Sequence, residues 1–296
     1  MTAQELVVLV LKISIFLTVF SFGLQATGDE VLYLLRRPGL LVRSLIPMFV
    51  VMPLFAILIT KEFDCPRPVT IALIALAISP VPPLLPRRIT KAGGLAPFGL
   101  GLMVTASVLS IGFIPLAMDL MGRFADRPFT MDAVAVAKLV GASILLPLGA
   151  GMAFQAMAPN IAARMAKPLG VIATVLLLLG VLPLLTSVLP VAWALIGNGT
   201  LLVLIAFVVV GLAVGHLLGG PDPDERVVLA LCTACRHPAL ALAIASANFP
   251  DEKRVVGAIV LYLLLNVVVS LPYIAWQRRA IKNSATPVVM RPQSLR

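Results

Sequence analysis

One short stretch of the chain concentrates groups that could do chemistry. Thr233-Ala234-Cys235-Arg236-His237-Pro238 places a strong hydrogen-bond donor, a titratable imidazole and a helix breaker side by side. From Val227 to Pro250 the only charged residue is Arg236. Its guanidinium therefore falls near the middle of an apolar run, where a charge costs roughly 2.5–3.5 kcal/mol on membrane-insertion scales. A guanidinium kept at that depth binds an anion or acts as an internal counter-charge, and His237 beside it carries a proton or hydrogen-bonds a substrate. Thr233 and Pro238 flank the pair and join it as candidate substrate contacts. The structural alternative is an arginine that locks two helices through their carbonyls, with a satisfied interior histidine next to it. Asp119, Asp132 and Glu5 are possible partners, but no acid lies in mid-helix, and an unpaired buried arginine favours an anionic ligand. Pro238 deprives a carbonyl about one turn earlier, near Ala234, of its helical donor. Such a group is tolerated at that depth only against protein or a wet cavity.

A second stretch, Ser79-Pro80-Val81-Pro82-Pro83-Leu84-Leu85-Pro86, cannot be continuous helix, because each proline lacks an N–H and crowds the preceding turn. Its middle is predicted to be extended. Pro82, Pro83 and the following Arg87 are candidate substrate contacts; Arg87, Arg88 and Lys91 could face a pathway for anions, with anchoring at the cytoplasmic membrane surface as their default role. Half-helix ends at both breaks would present N–H groups and dipole charge to a ligand. Thr105, Ser107 and Ser110, on the helix after the first break, are candidates for ion coupling alongside His237, with helix packing as their default role. Lys12 and Lys138 are secondary candidates. Cys232 and Cys235 have metal-like spacing but no further ligands nearby in sequence, and Cys65 completes a set with no disulfide framework. No metal site or cofactor is expected. Phosphate loops, dinucleotide glycine patterns and metalloprotease motifs are missing, so the chain does not read as an enzyme.

These residues must be positioned by membrane helices. The 296-residue chain is 60% hydrophobic and 12% charged, with a mean hydropathy of +1.06; so few charges cannot clothe a water-soluble core of this size. The net charge of +10 is scattered at segment ends rather than gathered on a nucleic-acid motif. A crossing needs roughly 20 apolar residues, and about nine stretches qualify, at 5–26, 43–60, 68–92, 94–120, 133–156, 168–189, 193–217, 227–248 and 254–277. Arg36, Arg37, Arg43, Arg87, Arg88, Lys91 and the C-terminal bases fall on one side and outnumber Lys61, Arg67, Arg123, Arg127, Lys253 and Arg254 on the other. The positive-inside rule then puts the N-terminus outside and the C-terminus in the cytoplasm. On that count the third and eighth segments run in opposite directions. Each is broken by proline and followed by one more long helix, so 68–120 and 227–277 read as one unit inverted, the arrangement by which secondary transporters build a site at mid-membrane. The expectation is an all-α polytopic membrane protein with one transmembrane domain over 1–282. Its repeats lie near 5–120 and 133–277, and a flexible tail covers 283–296.

Arg36-Arg37-Pro38, leading through Leu40, Leu41 and Arg43 to Val51-Met52-Pro53-Leu54-Phe55-Ala56, together with the two broken segments, resembles the bile acid:sodium symporter superfamily. The resemblance implies a panel domain beside a core domain in which two broken helices cross, and alternating-access movement of a small organic anion. The family's Glu-x-Gly-x-Gln-Asn-Ser-Gly-Leu pattern, laid on Ala239 and Leu240, puts Cys232 at the Glu, Arg236 at the Gln, His237 at the Asn and Pro238 at the Ser. At the first break Leu85 and Pro86 fall where a Ser-Asn pair belongs. Sodium needs oxygen ligands and not a guanidinium, so the usual two-sodium coupling is not expected. The expected activity is secondary transport of an organic anion, proton-coupled through His237 or uncoupled. The alternatives are a sodium symporter with rearranged ligands, using carbonyls and Thr105, Ser107 or Ser110, and a membrane enzyme or sensory subunit. The lipid bilayer and a small organic anion are the expected partners, and a bacterial-type inner membrane the expected location.

Overall fold

The computed structural model describes residues 3–124 and 129–284 and is helical throughout, without strands among the described residues. The tail expected at 283–296 lies, from 285 on, outside the described residues. Eight stretches among the described residues are long and apolar enough to cross a membrane, one of them, 223–248, being broken at 235–237 into two half-helices. The remaining expected crossing, 68–92, is split into α5 (Arg67–Ile78) and α6 (Leu85–Ala92), neither of which could span alone. The other elements are α1 (Ala3–Gly23), the short α2 (Gly28–Val31), α3 (Pro38–Ile46) continuing into α4 (Met52–Glu62), α7 (Ala96–Phe124), α8 (Ala133–Val140) continuing into α9 (Leu146–Met157), α10 (Pro159–Trp193), α11 (Thr200–Leu218), α12 (Pro223–Ala234), α13 (Pro238–Asn248) and α14 (Val255–Ser284).

Local sequence explains the joints. One wide π turn, Pro47–Val51, joins α3 to α4, and another, Gly141–Leu145, joins α8 to α9. Each is followed by a proline, Pro53 or Pro147, whose missing N–H the widened turn absorbs, so the helix continues. The stretch expected to begin at 193 starts instead at Thr200. Gly197, Asn198 and Gly199 all take positive φ, at 141°, 40° and 76°, and form a turn that no helix can pass through. Conversely, α10 starts nine residues before the expected 168, because its Arg164, Lys167 and Pro168 are carried within the helix.

The helices fall into two groups. In the first, α1 packs along α10 and α9, and the Ser14 hydroxyl donates to the Ala173 carbonyl at 2.7 Å. In the second, α5 packs on α13, α14 and α4, and α11 packs on α12 and α14. The long helices α7 and α14 join the groups, touching α8 and α10 respectively. Counted in chain order among the membrane-length elements, the third from α1 and the third from α10 are the broken ones, α5/α6 and α12/α13.

Close approach of α11 fixes α12. A side chain on Gly215 would begin 2.5 Å from the Ala230 Cα and the Leu229 carbonyl, and one on Gly211 2.8 Å from the Ala234 Cα. Small residues let helices meet where lipid supplies no hydrophobic drive. Gly215→Val is therefore expected to destabilise the protein by roughly 1–3 kcal/mol through overpacking, read as a lowered melting temperature in detergent, whereas Gly149→Ala, which meets nothing within 4 Å, leaves it unchanged.

Candidate functional site at the helix crossing

The two breaks meet. After α5 the chain turns extended at Ser79 (ψ 147°), and after α12 it is extended at Cys235 (ψ 128°) and His237 (ψ 104°). The His237 N–H donates to the Pro80 carbonyl at 2.9 Å, and Arg236 Nη1 donates to the Ser79 carbonyl at 3.2 Å. A helix running through would have paired the Ser79 carbonyl with residue 83, but Pro83 has no N–H to give. Arg236 supplies the donor from the other break.

The Ala234 carbonyl, left free by Pro238, accepts from Tyr262 Oη at 2.6 Å and Asn266 Nδ2 at 2.8 Å, both from α14. Tyr262 Oη in turn accepts the Arg236 backbone N–H at 3.0 Å. Asn266 Oδ1 accepts from the Cys235 thiol at 3.0 Å and from Arg88 Nη1 at 2.9 Å, while Arg88 Nη2 reaches the Asn266 carbonyl at 3.3 Å. The crossing is thus a continuous hydrogen-bonded network from Arg88 through Asn266, Ala234 and Tyr262 to Arg236.

Part of this network has no partner. Arg236 is 1% exposed, and its Nε and Nη2 have no hydrogen-bond partner among the described residues. His237 Nδ1 accepts the Leu240 N–H at 3.4 Å and so caps α13. The proton of the neutral ring then sits on Nε2, making Nε2 a buried donor, and it too is unpartnered. The Thr233 hydroxyl, in the last turn of α12, completes the unsatisfied groups of this segment. Buried polar atoms without partners each cost about 1–3 kcal/mol. Three N–H donors in two adjacent side chains therefore create a demand for a hydrogen-bond acceptor, ideally an anion.

The other expected site residues are spread more widely. Pro238 opens α13, Pro82 lies half-buried in the first break with its carbonyl accepting the Leu85 N–H, and Pro83 is buried in the turn that leads into α6. Leu85 and Pro86 open α6 rather than interrupt it. Thr105, Ser107 and Ser110 are all buried on α7; Ser110 donates to the Ser107 carbonyl at 2.6 Å, and the Ser107 hydroxyl has no partner among the described residues. Arg87 turns away from the crossing. Its Nη1 donates to the Thr174 hydroxyl at 2.8 Å and its Nη2 to that of Ser21 at 3.3 Å, with the guanidinium over Phe22, so it ties α6 to α1 and α10. Its neighbour Arg88 is the one that reaches the second break.

Residues 12–189 match the family model described as the Sodium Bile acid symporter family. The chain belongs to that family. The matched residues include the first break and stop before the second, so Arg236 and His237 lie beyond them. The chain is also similar to the P3 protein of Bos taurus, 27% identical over 148 residues, or 49% of this chain and 31% of that protein. Against the P3 protein of Mus musculus it is 26% identical over 208 residues, or 69% of this chain and 43% of that protein. The chain spans less than half the length of these curated relatives. Membership makes it a multi-pass membrane protein of a transporter family, in keeping with its crossings.

Sequence reasoning passed over Tyr262 and Asn266, and named Arg88 only with Arg87 and Lys91 as a pathway or anchor residue. The signal was present: Tyr262, Asn266 and Ser270 recur every four residues in an otherwise apolar run, which places them on one face of a helix. Tyr262→Phe removes one donor to Ala234 and orphans the Arg236 N–H, and is expected to cost roughly 1–3 kcal/mol. Asn266→Leu strips partners from Ala234, Cys235 and Arg88 together and is expected to cost more. Melting temperatures of the two variants check the order; equal losses would mean that the further contacts of Asn266, to Cys235 and Arg88, add nothing to stability.

Proposed function

We propose that the protein carries a small organic anion across the membrane by alternating access, with Arg236 as a fixed positive charge where sodium-coupled relatives would place an ion. The observation that carries this reading is the fully buried Arg236 with Nε and Nη2 unpartnered beside the unpartnered Nε2 of His237. Among the described residues no carboxylate forms an ion pair with Arg236. An anionic group bridging these donors would satisfy them with charge-assisted hydrogen bonds.

The same geometry supports sodium independence. The carbonyls a cation would use at the crossing are already engaged: Ser79 by Arg236, Pro80 by the His237 N–H, and Ala234 by Tyr262 and Asn266. A sodium ion there would also face a guanidinium, with a repulsion of about 4 kcal/mol at 4 Å in a protein-like dielectric. His237 is the imidazole at which a proton would enter the cycle; otherwise movement is uncoupled. A catalytic role for His237 would need a paired acid or base, whereas its Nδ1 caps α13 and its Nε2 has no partner. The proposed location is a bacterial-type inner membrane, with the N-terminus outside and the C-terminus in the cytoplasm.

Thermal melting of the detergent-solubilised protein, with sodium exchanged for potassium at constant ionic strength and a panel of organic anions added, tests the reading. A ligand at a hundred times its Kd adds about 2.7 kcal/mol of stability, so an accepted anion raises the melting temperature equally in both salts. Arg236→Gln should keep a folded protein and lose that shift. Stabilisation by sodium alone, or anion binding that persists in Arg236→Gln, would sink the proposal. Uptake of the stabilising anion into proteoliposomes under an imposed proton gradient, with and without His237→Gln, separates proton-coupled from uncoupled movement.

A further inference from the structure

Away from the crossing, α4, α5, α7 and α13 enclose a cleft of about 860 Å³. Its walls are mostly apolar, with Leu54, Ile57, Ile74, Met118 and Phe249 among them, and the charged residues that line it are Lys61 and Arg67, with no carboxylate. Leu54 is 55% exposed, so the cleft opens sideways on a helix face that in a bilayer meets acyl chains. None of the residues assigned to the crossing lines it.

What distinguishes this cleft from an ordinary lipid-facing groove is what adjoins its charged end. Arg67 and Phe249 also wall a smaller cavity of about 200 Å³, completed by Asn248, Pro250, Asp251 and Glu252. The Arg67 guanidinium lies over the Phe249 ring at 5.8 Å, at the junction of the two. From one end to the other, the lining runs from apolar to cationic to acidic. Glu252 is mostly buried and shares its charge with Arg254 at 3.6 Å, while Asp251 forms no ion pair among the described residues.

We propose that this cleft binds a membrane phospholipid with a primary-amine headgroup: an acyl chain in the apolar cavity, the phosphate at Lys61 and Arg67, and the ammonium at Asp251 and Glu252. Each alternative occupant leaves one part of the lining unexplained. A fatty acid accounts for the apolar wall and the two cations but places nothing against the carboxylates. An anionic glycerol headgroup brings no cation to them. A choline headgroup brings a cation that cannot donate hydrogen bonds, whereas an ammonium donates three, as a lysine side chain does.

The test measures binding of phosphatidylethanolamine, phosphatidylcholine and phosphatidylglycerol with identical acyl chains, and of oleate, to the delipidated full-length protein by native mass spectrometry and thermal shift. Phosphatidylethanolamine is expected to bind about tenfold tighter than the other two phospholipids, the worth of one charge-assisted contact. Arg67→Gln with Lys61→Gln should weaken all three phospholipids. Asp251→Asn with Glu252→Gln, both at loop positions, should leave binding intact while removing the preference, and Ile74→Trp should exclude the chain. Arg236→Gln should change none of this, so failure here and failure of the transport reading are separable. Equal or tighter binding of phosphatidylglycerol, a preference that survives loss of both carboxylates, retained binding in Ile74→Trp, or oleate matching phosphatidylethanolamine would each overturn the proposal.

Discussion

A peptide group without a hydrogen-bond partner cannot be left in an apolar layer, and the centre of this protein is arranged around that constraint. Breaking two membrane-spanning stretches part-way along exposes carbonyls at Ser79, Pro80 and Ala234 and an N–H at His237. Each break answers part of the other's need: the backbone of His237 serves Pro80, and the side chain of Arg236 serves Ser79. What remains, the Ala234 carbonyl, is taken by α14 through Tyr262 and Asn266. The crossing therefore needs both breaks and the helix behind them, and it explains why α14 carries a tyrosine and an asparagine in an otherwise apolar run.

The supports extend outward from that point. Gly211 and Gly215 let α11 lie against the backbone of α12, which sets where α12 ends and hence where Arg236 emerges. Arg88 reaches back from α6 to Asn266, linking the far side of the first break to the second. Against this rigid frame, one nitrogen of Arg236 is spent on structure and two are left over. The structural and functional readings of that residue are thus not exclusive. Nη1 locks the breaks together, while Nε and Nη2 stay available. Arg87 marks a different boundary, holding α6 to Ser21 and Thr174 on the α1–α10 group. Any rocking of one group against the other must break or carry those two hydrogen bonds.

Much of this was legible in the residues. A proline cluster located the first break and Pro238 the second, the isolated Arg236 located the crossing, and the loss of a donor four residues before Pro238 pointed to the Ala234 carbonyl. Other features escaped for identifiable reasons. Which of Arg87 and Arg88 turns inward is decided by helical phase on α6, and adjacent residues on a helix differ in direction by about 100°. The turn at Gly197-Asn198-Gly199 was hidden because an apolar run on either side looks continuous to a hydropathy count, whereas three consecutive positive φ values end any helix. Tyr262 and Asn266 are neutral, so burying them carries no charge penalty that marks them in the sequence, and only their four-residue spacing does. The cleft beside α4 and α13 has no local signature at all: its walls come from segments nearly 200 residues apart.

The permanence of the guanidinium charge carries a mechanistic consequence on the proposed reading. A sodium ion couples transport because it binds on one side and leaves on the other; an arginine stays charged and in place. It can neutralise an anion at both faces of the membrane, but it contributes no gradient. Net driving force must then come from the anion's own gradient or from a group that changes charge during the cycle. At the crossing that group is His237, and its Nδ1 already accepts the N–H that begins α13. Adding a proton at Nδ1 would remove the acceptor and uncap the helix. On that reading proton uptake and movement of α13 would be linked, whereas a ring that stays neutral keeps the cap and leaves movement of the anion uncoupled.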